Sequence, residues 1–85
     1  MSDFEKVVRA FMAERGVGTL RELHARMADA GHDVDFGRLQ RTITGDWSLR
    51  ARPQHVNRAI ANALDLTEEQ KTRMALAALP GLFAA

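Results

Sequence analysis

"GHDVDFGRLQRTITG", residues 31–45, is a polar, arginine-bearing stretch closed by glycine at both ends. Asp35 suits a helix N-cap and Gly45 suits the position just past a helix end, so the spacing predicts a helix over 36–44. At about 100° per residue with Leu39 at the centre, Phe36 and Ile43 fall within about 60° on one side and Thr42 on the other. That side can be buried, with Val34 as an anchor in the turn before it. Arg41 points away from it, flanked by Gly37, Arg38 and Thr44, and Gln40 lies at the boundary. The wheel alone leaves two readings open. One is an ordinary amphipathic surface helix. The other is a donor-rich helix of the right size for a major groove, where Arg pairs with guanine, Gln with adenine, and Thr with a polar edge or a thymine methyl.

Outward from this segment, four more helices are expected and no strand. Phe4, Val7, Val8, Phe11 and Met12 recur at helical spacing over about 3–15, with a capping-box pattern at Ser2 and Glu5 and a stop at Gly16. Thr19 and Glu22 form a second capping box for a helix over about 19–30, striped by Leu20, Leu23 and Met27 and ended by Gly31. Pro53 suits the first position of a helix over 53–64 that carries Val56, Ile60, Ala63 and Leu64 on one face. Thr67 and Gln70 cap a fifth helix over 67–79, which Pro80 is expected to end, leaving a short apolar tail at 80–85. No repeat or low-complexity tract interrupts this, so the chain reads as one all-α domain, residues 1–85.

The totals narrow the class. With no cysteine among 85 residues, disulfides and thiolate zinc sites are excluded, and a reducing cytoplasm is the natural compartment. No signal peptide and no membrane-spanning apolar run is evident. The formal net charge is only +1, but it is unevenly placed. Residues 36–58 hold Arg38, Arg41, Arg50, Arg52 and Arg58 against Asp46 alone, while both flanks are net acidic. A basic middle third suggests an anionic partner, nucleic acid first; solvated arginines are the plainer alternative.

The ordered set Thr19, Leu23, Gly31, Val34, Asp35, Leu39, Gly45, Pro53 and Ile60 to Leu66 resembles the lambda-repressor/Cro-like helix-turn-helix family, also called the XRE family. The resemblance spans roughly residues 4–76. It implies a compact five-helix fold and a small prokaryotic or phage transcriptional regulator that binds double-stranded DNA in a sequence-specific way. The helix over 36–44 would enter the major groove, with Arg38, Gln40, Arg41 and Thr44 reading bases. Helix N-termini and basic loops would hold phosphates through Thr19, Arg21, Gln54, His55, Arg50 and Arg52. Two departures stand out. The stretch from Leu23 to Val34 is about five residues longer than in the commonest members, and His24 replaces a small residue where the second and third helices meet, a size expected to crowd that contact.

Other chemistry finds little support. His24, His32 and His55 lack the spacing and company of a metal site, so no metal or other cofactor is expected. Ser48 has no neighbouring base, Asp33 and Asp35 read as turn and cap residues, and an enzyme is not expected. Trp47 reads as a cover for the junction after the third helix. The tail, with Leu79, Leu82 and Phe83, suits either completion of the core or a homodimer contact. The alternative function is a protein-interaction module on the same fold, such as an antitoxin or a phage-encoded inhibitor of a host protein.

Overall fold

The structure is a computed structural model that describes residues 3–44 and 53–83. Five helices follow one another: α1 (Asp3–Glu14), α2 (Leu20–Asp29), α3 (Phe36–Thr44), α4 (Pro53–Ala63) and α5 (Glu68–Phe83). No strand occurs among the described residues. The stripes that the sequence period defines in α1 to α4 face the core, with Val7, Leu20 and Phe36 only partly buried at its edge. Phe4, Val8, Phe11 and Met12 from α1 meet Leu23 and Met27 from α2, Leu39 and Ile43 from α3, Val56, Ile60 and Leu64 from α4 and its end, and Met74 and Ala78 from α5. Packing runs α5 on α1, α4 on α2, and α3 against α1, α2 and α4. The radius of gyration is 11.6 Å, close to the roughly 12 Å expected of a folded chain of this length.

The helix ends are built from local bonds. Thr19 accepts the Glu22 N–H at 3.1 Å, and Thr67 and Gln70 satisfy one another's amides reciprocally at 3.1 Å. At the far ends of α1, α2 and α4 the same pair of bonds recurs. Val17, His32 and Leu66 each donate to the carbonyl five residues back, and the residue before each donates to the carbonyl three back. This closure places one residue in the left-handed region. Gly16 (φ +73°) and Gly31 (φ +88°) fill it twice, but at α4 the residue is Asp65, with φ +51°. Arg15 closes that terminus further, donating from Nε to the Leu64 carbonyl at 2.9 Å and from Nη2 to the Asp65 carbonyl at 3.3 Å. Its Nη2 also meets Gln70 Oε1 at 2.7 Å, and Gln70 reaches Glu14 at 2.9 Å, so one arginine joins the ends of α1 and α4 to the start of α5.

One boundary differs from expectation. α5 does not end at Leu79 but continues through Pro80 to Phe83. Proline's φ is itself helical, and its cost is the missing bond to the carbonyl four residues back, here Leu76. The Ser2 cap and Gly45 stop lie outside the described residues, as do Trp47, Ser48 and the side chains of the 79–85 tail.

The three helix ends make a stability prediction. Asp65→Gly should raise stability by about 0.5–1 kcal/mol, whereas Gly31→Ala should lower it by about 1 kcal/mol. Nothing lies within 4 Å of a Cβ built on Gly31, so its penalty is conformational rather than steric. Urea unfolding of both variants checks the pair; equal and unchanged midpoints would contradict it.

Candidate nucleic-acid interface

α3 has two faces of opposite character. Leu39, Thr42 and Ile43 are fully buried on the inner side. On the outer side Gln40, Arg41 and Thr44 are exposed and Arg38 is half-buried. Asp35 caps the helix, its Oδ2 accepting the Arg38 N–H at 3.2 Å while its own carbonyl accepts from Leu39. The four side chains singled out in α3 thus share one short, capped helix, on or beside its solvent face.

Their chemistry is now sharper. Thr44 donates its hydroxyl proton to the Gln40 carbonyl at 2.9 Å, with Arg41 O at 3.3 Å, so outward it presents lone pairs and a methyl group rather than a donor. Gly37 matters through what it leaves out. A Cβ there would come 3.0 Å from Asp35 Oδ2 and 3.3 Å from Arg41 Nη1, so the Arg41 guanidinium lies back along the helix beside the capping carboxylate. The sequence marked Gly37 only as a flank of Arg41; its function as a lane for that side chain needed the coordinates.

The supporting residues divide. Thr19 is exposed at the α2 N-terminus, where its oxygen already accepts an amide but its proton remains available. The Gly18 N–H at the same end points to Glu22 Oε2 at 3.3 Å, so an arriving phosphate would meet a carboxylate there. Arg21 reaches across to α3 instead, its guanidinium 4.7 Å from the centroid of the Phe36 ring. Gln54 and His55 are exposed on the first turn of α4, which carries no acidic residue. That terminus suits an anion better than the start of α2. Arg50 and Arg52 lie outside the described residues.

The long turn between α2 and α3 is held at several points. Val34 is buried, His32 accepts from Asn62 of α4 at 3.2 Å, and His24 Nε2 lies 2.6 Å from the Val34 carbonyl. A bond to a carbonyl puts the proton on Nε2. His24 therefore does not crowd the junction of α2 and α3, as its size suggested; it spans it. Among the described residues, no group of three or more His, Asp or Glu side chains is arranged to hold a metal ion, and no helix is long and apolar enough to cross a membrane. Comparison with models of known protein families, with curated protein sequences and with solved structures gave no match.

Thr42 stands apart on the inner side. It is fully buried, and its Oγ1 has no hydrogen-bond partner among the described residues. An unpartnered buried hydroxyl costs about 1–3 kcal/mol, and valine has nearly the same shape. Thr42→Val should therefore stabilise the fold by about 1 kcal/mol or more, read as a raised thermal midpoint. A lowered midpoint would mean that the hydroxyl is satisfied.

Proposed function

We propose that the chain is a sequence-specific double-stranded DNA-binding domain of the lambda-repressor-like helix-turn-helix type, acting as a small prokaryotic or phage transcriptional regulator. The observation that carries this is α3: nine residues, inner side fully buried, outer side offering Arg38, Gln40, Arg41 and Thr44. A helix so arranged presents bidentate and single-point partners to base edges at the spacing of a major groove. Thr19, Arg21, Gln54 and His55, with Arg50 and Arg52 between α3 and α4 in the sequence, supply phosphate contacts that set register without reading sequence.

Helix-turn-helix proteins commonly bind two half-sites as dimers. For a homodimer, the described surface offers a groove of about 190 Å³ between α1 and α5, lined by Val7, Ala10, Phe11 and Arg73. Leu76, one turn beyond Arg73, is 59% exposed and supplies an apolar side chain for that contact. The same groove supports the second reading, a protein-interaction module whose partner is another protein. The polar, basic face of α3 favours DNA between the two.

Selection from random duplex DNA tests the class: a single enriched sequence is expected, palindromic if the protein binds as a dimer. On that sequence Arg41→Ala should weaken binding about 5- to 150-fold and relax specificity at the bases it meets. Affinity should also fall steeply between about 50 and 200 mM salt as counterions are released. No enrichment, or binding indifferent to salt, would overturn the proposal.

A further inference from the structure

Two side chains three residues apart on α2 close on the first residue of α3. The Arg21 guanidinium lies over the Phe36 ring at 4.7 Å, and the His24 ring meets the same ring edge-on, with centroids 5.6 Å apart and planes at 82°. His24 is itself fixed by its 2.6 Å bond to the Val34 carbonyl, two residues before Phe36. Phe36 is half-buried and packs on the core. The ring is therefore gripped from below by the core and from the side by an anchored imidazole, while Arg21 rests on it in solvent.

What Arg21 lacks is a carboxylate. Arg9 pairs with Glu5 and Arg15 with Glu14, but among the described residues no acid lies within ion-pair distance of Arg21. An aromatic ring orients a guanidinium without neutralising it, and leaves the in-plane N–H groups free for bidentate contact with phosphate. The Gly18 amide just before α2 is already taken by Glu22, so beside the Thr19 hydroxyl Arg21 is the charged anion-binding side chain at this end of α2. A long side chain held in advance also loses less freedom when its ligand arrives.

We propose, on the footing of the DNA-binding function above, that Phe36 is the seat that orients Arg21 for a backbone phosphate. His24 is a positioning residue that fixes this seat, and with it the angle at which α3 meets the groove. Because Phe36 is the first residue of α3, the phosphate contact and the base-reading face then move as one body. Register on the backbone and insertion in the groove are set together.

A double-mutant cycle on the full chain with the selected duplex tests this. Arg21→Ala and Phe36→Leu should each weaken binding about 3- to 10-fold, and the double variant no more than the stronger single one. Each should reduce the slope of log affinity against log salt by about 0.9, one phosphate's worth, a change that a purely structural loss does not produce. His24→Ala should lower affinity and slope in the same sense and, because the angle of α3 is loosened with the seat, relax the enriched sequence. Arg21→Lys keeps the charge but loses the flat stack, and should weaken binding several-fold without altering thermal stability, which keeps the test sound if Phe36→Leu folds poorly. Losses that multiply in the double variant, or an unchanged slope, with wild-type binding intact, would overturn this inference and leave DNA binding standing. Failure of the wild-type chain to bind duplex DNA would overturn both.

Discussion

The turn from Gly31 to Asp35 governs everything α3 can present. It is long, and a long turn ordinarily lets the next helix choose among several tilts. Here the turn is held at several points. Gly31 adopts φ +88°, His32 and Gly31 close the end of α2, Asn62 holds the His32 ring, and the Val34 side chain is buried. His24 then holds the Val34 carbonyl and Asp35 caps the helix that follows. If this turn slipped, the fully buried Leu39, Thr42 and Ile43 would lose their seats, and the polar side would no longer face outward.

The two faces of α3 are therefore not independent features. Each fully buried aliphatic side chain on the inner side stabilises the fold by about 1.5–3 kcal/mol, and that burial is what forces Gln40, Arg41 and Thr44 into solvent. A domain this small has little surplus stability, so a nine-residue helix with only three buried residues relies on its cap and on its neighbours. α1, α2 and α4 supply the neighbours, and the first turns of α2 and α4 carry polar groups that are candidates for phosphate. Glu22 occupies the start of α2, which leaves Arg21 and, on α4, Gln54 and His55 as the better-placed candidates.

What was legible in the sequence follows from range. Caps are contacts between residues three apart, so Thr19 with Glu22, Asp35 with the Arg38 amide, and Thr67 with Gln70 could be read directly, as could the stops at Gly16 and Gly31. The inner side of α3 followed from a single helical period. Contacts between distant residues left no local mark: Arg15 reaches Leu64, Asp65 and Gln70 across 49 to 55 positions, and its sequence context looks like any solvated helix end. Asp65 in a left-handed conformation was hidden because glycine, the usual signal, is absent there. His24 looked like an intrusion until the turn brought a carbonyl within its reach. Pro80 misled for a simpler reason: its own backbone angle is compatible with the helix it was expected to end.

The central claim is that the outward side of α3 is the binding surface. Titrating isotope-labelled protein with a short mixed-sequence DNA duplex at low salt, followed by amide chemical shifts, tests it most directly. The account predicts the largest changes at Arg38, Gln40, Arg41 and Thr44, with further changes at Arg21 and the first turn of α4. Changes confined to Val7, Ala10, Phe11 and Leu76, or none at all, would contradict it.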